Sequence, residues 1–213
     1  MRLKFYNGEF YHIYNRGVDK RHVFLDDRDY GRFLKSLAEF NSGLSRDEQR
    51  CLPPESDSGS IPESDSGETL VNIITYCLNP SHYHLLLEQI VDGGITLFMR
   101  KLGTGYTNYF NLKHERSGHL FQGAFKAKHV TSNDYFLWLS AYINGNPEIH
   151  QTEKAEKYLW SSYREYLGRD DSGICDSQLI LDQFKDINDY KKFVKMAIKK
   201  SVKIRQEPEE YFL

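Results

Sequence analysis

The sequence predicts an α+β fold, an antiparallel sheet of about four to five strands with packed helices and a helical C-terminal extension. Three observations carry this reading. The elements follow in the order β-α-β-β-α-β-α, two of the strands are joined by the short turn Asn79-Pro80-Ser81, and helical periodicity dominates the tail.

Phe10 to Gly17 is aromatic and β-branched with a glycine stop, which reads as the first strand. A helix follows, with Tyr30, Phe33, Leu34, Leu37 and Ala38 at helical spacing behind Asp26, Asp27 and Asp29, acids that suit a helix start. Leu70 to Leu78 and His82 to Gln89 form a β-hairpin around Asn79-Pro80-Ser81. Ile95, Phe98, Met99, Leu102, Tyr106, Tyr109 and Phe110 mark a long helix. Gly103 and Gly105 each cost about 1 kcal/mol there, which implies a close approach to the helix backbone. Leu120 to Val130, broken by Gly123, reads as a bent strand or hairpin. Ser132 or Asn133 caps the next helix, which Pro147 should end. Ile187, Tyr190, Val194 and Ala197 give one further amphipathic helix.

The expected organisation is one domain over 1–168, a flexible acidic insertion at about 52–68, and a mostly helical extension over 169–213. The insertion repeats Pro-Glu-Ser-Asp-Ser-Gly at 54–59 and 62–67 and has almost nothing to bury. With 213 residues, 39% of them hydrophobic, the chain has enough material for one sizeable core. No apolar stretch approaches the roughly 20 residues that a bilayer span needs, and Met1-Arg2-Leu3-Lys4 lacks the apolar core of a signal peptide, so a cytoplasmic protein without membrane contact is expected. Cys51, Cys77 and Cys175 are odd in number and widely spaced, which indicates neither a disulfide framework nor a zinc ribbon.

A net charge of −2 looks wrong for a nucleic-acid binder. Residues 52–68, however, hold five acids and no base, so the rest of the chain carries +3. Residues 100–128 interleave Arg100, Lys101, Lys113, Arg116, Lys126 and Lys128 with Tyr106, Tyr109, Phe110, Phe121 and Phe125. Bases among aromatics suit single-stranded nucleic acid, and equally a solvated helix edge above core rings.

In His82-Tyr83-His84 a strand would point both imidazoles to one face, where they could hold a divalent metal, although such triplets also occur on ordinary strands. Tyr142 and Asn146 stand four apart and share a helical face, placing a phenol one turn from an amide oxygen. Fifteen tyrosines compete for any nucleophilic role, and spacing does not choose among them.

The ordered motifs Tyr11-His12-Ile13-Tyr14-Asn15-Arg16-Gly17, Asn79-Pro80-Ser81-His82-Tyr83-His84-Leu85-Leu86-Leu87, Tyr106-Thr107-Asn108-Tyr109-Phe110-Asn111, the run Ser117 to Lys126, Tyr142 to Pro147 and Trp160 to Tyr163 resemble those of the REP-associated tyrosine transposases, single-tyrosine HUH enzymes. The resemblance covers roughly residues 5–168 and implies a ferredoxin-like sheet bearing the histidine pair and a helix bearing the tyrosine. It also implies roles. His82 and His84 correspond to the histidine metal ligands, Asn146 to the polar ligand and Tyr142 to the nucleophile that becomes 5′-phosphotyrosine-linked, with Mg²⁺ or Mn²⁺ as the metal. Two departures stand out: a tyrosine fills the usually hydrophobic position between the histidines, and Asn79-Pro80-Ser81 replaces the Met-Pro-Asn of many relatives. Tyr83 is thus a second phenol beside the metal, expected to face the opposite side of its strand.

The expected activity is metal-dependent nicking and rejoining of single-stranded DNA near hairpins or palindromic repeats, by a monomer or homodimer, with Arg16, Arg100, Lys101, Lys113, Arg116, Lys126 and Lys128 on the DNA. The alternative is a domesticated hairpin or single-stranded DNA-binding protein without cleavage. A zinc hydrolase is a third option, short of a carboxylate ligand beyond Glu88.

Overall fold

The computed structural model describes residues 3–41 and 69–206, so the insertion expected at about 52–68 and Cys51 lie outside the described residues. The elements are β1 (Phe10–Arg16), a short 3-10 turn (Val18–Lys20), α1 (Asp27–Glu39), β2 (Val71–Asn79), β3 (His82–Gln89), α2 (Gly94–Lys113), β4 (Lys126–His129), α3 (Asn133–Ile149), α4 (Tyr163–Tyr166), α5 (Gln178–Leu181) and α6 (Ile187–Gln206). The four strands form one antiparallel sheet in the order β2-β3-β1-β4, which is the ferredoxin-like arrangement.

Strand alternation sorts the side chains into two layers. Tyr11, Ile13, Tyr83, Leu85 and Leu87 point to one face, where they meet Phe33 and Leu37 of α1 and Phe98, Leu102 and Tyr106 of α2. Leu86 and Cys77 point to the other, where α3 packs with Leu139, Ala141 and Ile143. Each fully buried Leu, Ile or Phe contributes about 1.5–3 kcal/mol relative to exposure, so the rear layer holds the sheet rigidly behind whatever the front face carries. In register, His84 of β3 faces Tyr14 of β1 and Cys77 of β2, and His82 faces Arg16 and Asn79. Lys128 and Lys126 of β4 lie opposite His12 and Tyr14. The front face of the sheet therefore carries the histidines.

Both expected helix starts form. Asp26 accepts a hydrogen bond from the Asp29 amide at 3.1 Å, and Ser132 accepts one from the Tyr135 amide at 3.3 Å. Three expectations need correction. The strand expected over 120–130 is regular only from Lys126 to His129, because Gly123 sits at a φ of +111° and turns the chain, leaving only an isolated bridge from Phe121 to Gly17. Of the two helical glycines, Gly105 admits the ring of Phe40, 2.7 Å from where a Cβ would sit, whereas nothing approaches Gly103. Most consequentially, Pro147 does not end its helix. The chain stays helical to Ile149, with the His150 amide donating to the Asn146 carbonyl at 3.0 Å. Proline forfeits its own amide bond and crowds the preceding turn, and burial of Pro147 and Ile149 outweighs that cost near a helix end.

The C-terminal helix is not peripheral. Tyr190, Val194, Ala197 and Ile198 of α6 are buried in the α3 layer, and the Tyr190 hydroxyl accepts a bond from Asn144 at 2.9 Å. Gly145 permits the close crossing, since a Cβ there would lie 2.6 Å from Ile198 Cγ1.

Candidate active site

His82 and His84 stand on one face of β3, with ring centroids 5.1 Å apart and planes at 89°. Tyr83 points the other way into the core, against Phe33 and Phe121, and burial pushes its hydroxyl far above the ordinary phenol range. A buried phenol on the wrong face of the sheet is no nucleophile for a phosphate in front of it.

α3 crosses the histidines with Tyr142, Asn146 and His150, spaced by four and so aligned along one helical face. Tyr142 is half-buried, edge-on to His84 at 6.0 Å between ring centroids, and stacked on Trp138 at 5.2 Å. Asn146 is fully buried, and its Oδ1 accepts a hydrogen bond from Asn79 Nδ2 at 2.8 Å. His150 lies 4.9 Å from the His82 ring. His150 is the residue that sequence reasoning missed: its signal is the continued spacing of four, hidden by the assumption that Pro147 stops the helix.

A fourth imidazole completes the group. His12 of β1 places Nε2 2.9 Å from Nδ1 of His84, with the rings stacked at 5.1 Å. Burial first, then Lys128, lowers the His12 pKa to about 4. Burial, followed by the neighbouring His12, His82 and His150, holds His84 well below the usual imidazole range. Both rings are neutral at pH 7, the state in which an imidazole nitrogen offers a lone pair to a cation.

The donor set partly fits a divalent metal. His82 and His84 offer two imidazoles, and the buried Asn146 Nδ2 and Asn79 Oδ1 have no hydrogen-bond partner. Turning both amides over would keep the bond between them and put the Asn146 oxygen where its orphaned nitrogen now sits. Among the described residues no three His, Cys, Asp or Glu side chains converge on a metal position. Any metal here relies on the amide and on substrate oxygens, which suits a weakly held Mg²⁺ or Mn²⁺ better than a closed zinc site.

A family model described as IS200-like transposase matches residues 59–146, a window that contains His82, His84 and Tyr142 and ends on Asn146. Among solved structures, the chain is similar to a REP-associated tyrosine transposase bound to a REP hairpin, with 13% identity, a TM-score of 0.55 and coverage of 79% of this chain and 85% of that one. No curated protein matches.

The matched segment contributes to both layers, and the seven expected DNA-contacting residues divide between them. Arg16, Lys126 and Lys128 are exposed on or beside the histidine face, with Lys128 4.8 Å over the Tyr135 ring. Tyr135, Trp138 and Tyr142 stack in a row along α3, and together with Tyr14 they give this face an aromatic and basic border. Arg100 and Lys101 sit on α2, behind the sheet. Lys113 is bound to Asp26 and to the fully buried Asp29, at 2.6 and 2.7 Å, so it ties α2 to α1. Arg116 donates to Asn111 at 2.7 Å and to the His119 carbonyl.

Proposed function

We propose that the chain is a metal-dependent single-stranded DNA transposase that nicks and rejoins DNA beside hairpins through a 5′-phosphotyrosine at Tyr142. The observation that carries this reading is the placement of the Tyr142 ring edge-on to His84, on the helix crossing the histidine face. A phosphate drawn to that face by Lys126, Lys128 and Arg16 would meet a phenol and paired neutral imidazoles together. Tyr142 Oη attacks phosphorus, the bond to the 3′ oxygen breaks, and that oxygen leaves as a hydroxyl while the phenol gives up its proton. Attack by another 3′-hydroxyl on the phosphotyrosine reverses the step without ATP. Mg²⁺ or Mn²⁺, held by His82, His84 and Asn146, would supply charge stabilisation for the phosphate.

The substrate class draws support from the REP hairpin bound by the structural neighbour. One chain supplies every group named, and both a monomer and a homodimer are compatible with this reading. Among the described residues no helix is long and apolar enough to cross a membrane, and a DNA substrate suits the cytoplasm. The alternative reading, a hairpin-binding protein that does not cut, is favoured by the amide orientation as it stands, with the Asn146 oxygen engaged by Asn79; the turned-over pair removes that support.

The two readings separate in one assay. A labelled, hairpin-bearing oligonucleotide incubated with Mn²⁺ should leave label on the protein in a denaturing gel, retained in Tyr83→Phe and lost in Tyr142→Phe. Label that survives Tyr142→Phe and disappears in Tyr83→Phe refutes the nucleophile. Tight hairpin binding with no covalent label in the unaltered protein establishes the binding-only reading.

A further inference from the structure

We propose that His12 is a positioning residue for the metal site, accepting a hydrogen bond from His84 Nδ1 and thereby presenting His84 Nε2 to the cation. This rests on the proposed metal-dependent reading, and it assigns a role to a residue outside the segment matched by the transposase family model.

The geometry leaves few alternatives. His12 Nε2 and His84 Nδ1 are 2.9 Å apart and both side chains are buried, so the two nitrogens share one proton: two lone pairs or two N–H groups would repel at that distance. Two arrangements remain for the neutral pair. If His12 donates, the proton of His84 must sit on Nε2, and His84 then has no nitrogen lone pair left for a metal. If His84 Nδ1–H donates, His12 carries its own proton on Nδ1, and His84 Nε2 keeps a lone pair. Only the second arrangement makes His84 a ligand.

The surroundings make His12 a firm support. It lies on the central strand β1, stacked on His84 at 25° between planes, with Tyr14 4.9 Å away. Across the sheet, Lys128 stands in register with it. Ligating histidines generally donate their second ring nitrogen to a carboxylate, carbonyl or water, and removing such a partner typically weakens metal affinity about 10- to 100-fold. An imidazole acceptor from a neighbouring strand serves the same purpose without adding negative charge.

The test uses the full chain and two variants, with Mn²⁺ alone as the probe. His12→Phe keeps a ring and removes the acceptor, whereas His12→Gln puts an amide oxygen near the Nε2 position. Nitrogen-15 NMR of the metal-free protein should show His84 protonated on Nδ1. Mn²⁺ affinity, read by calorimetry or by the electron paramagnetic resonance of unbound Mn²⁺, should fall about 10- to 100-fold in His12→Phe and recover most of that loss in His12→Gln. A His84 proton on Nε2 would overturn the proposal. So would unchanged Mn²⁺ affinity in His12→Phe when His84→Ala abolishes binding. If Mn²⁺ binding is indifferent to His84→Ala as well, the metal reading itself fails, and the NMR result alone decides the direction of the hydrogen bond. Circular dichroism and thermal melts of both variants identify any loss of affinity that comes from misfolding.

Discussion

Replacing Lys113 by methionine separates a structural lysine from a DNA-binding one. Asp29 is fully buried, and its carboxylate accepts from the Leu25 amide at 2.8 Å, from Lys113 Nζ at 2.7 Å and from His114 at 3.0 Å. Burial opposes the charge on Lys113, but hydrogen bonds to Asp26 and Asp29 win and raise its pKa; the same lysine lowers the pKa of Asp26. Removing one partner of a buried pair costs about 3–5 kcal/mol. The Lys113 side chain is 22% exposed, and His114 with the Leu25 amide remains behind to share the carboxylate, so about 2–3 kcal/mol is expected here. For a chain of this size that is a fall in Tm of roughly 4–12 °C. Asp26 is half exposed, and Asp26→Asn should cost under about 1 kcal/mol. Urea or thermal denaturation measures the stability, and titration of a single-stranded hairpin oligonucleotide at several salt concentrations measures the phosphate contacts. Lys128→Met should reduce the slope of log affinity against log salt by about 0.7, whereas Lys113→Met should leave it unchanged. A Lys113→Met protein of unaltered stability with a shallower salt slope would refute the assignment of this lysine to the α1–α2 contact.

Other consequences follow from the same packing. Gly145→Ala gains about 1 kcal/mol of helix propensity and loses about 1–3 kcal/mol to the clash with Ile198 Cγ1, so denaturation should show a net loss that Ile198→Ala placed beside it partly relieves. Metal-free protein should lose stability as pH falls from 6.5 to about 4, because the unfolded chain then takes up a proton that folded His12 refuses. The His12 shift alone corresponds to about 3 kcal/mol, and because His84 is lowered as well, urea midpoints across that range should fall less steeply in His12→Gln without becoming flat. Tyr83→Phe removes a hydroxyl from a buried ring and should leave Mn²⁺ affinity unchanged, which calorimetry checks.

Elements whose residues alternate or recur strongly were legible without coordinates. The alternation in Phe10 to Arg16 and His82 to Gln89 fixes which side chains share a face, and the register of β1 against β3 then places Arg16, Tyr14 and the two histidines together. What sequence did not show is partnership between strands. Nothing in the spacing of His12 and His84, seventy-two residues apart, announces a nitrogen-to-nitrogen contact, because register is set by the whole hydrophobic pattern of the sheet. Charge was misleading for a related reason. Lys113 reads as a solvent-facing base until α1 brings Asp26 and Asp29 beneath it.

Pro147 is the instructive failure. A proline forbids one amide hydrogen bond and disfavours helical geometry in the residue before it, so a local rule ends the helix at Asn146. The packed layer outweighs that rule: Asn146 and Pro147 are buried, Ile149 is 3% exposed, and Gly145 is clamped against Ile198 of α6. Because α3 runs on, His150 reaches His82 on the same helical face that brings Tyr142 to His84. Under the proposed function the C-terminal helix thus bears on the chemistry without touching it, holding α3 at the depth where its phenol meets the strand histidines. A truncation before α6 should therefore cost hairpin cleavage as well as stability, whereas a truncation that left covalent labelling intact would show that the sheet and α3 position Tyr142 by themselves.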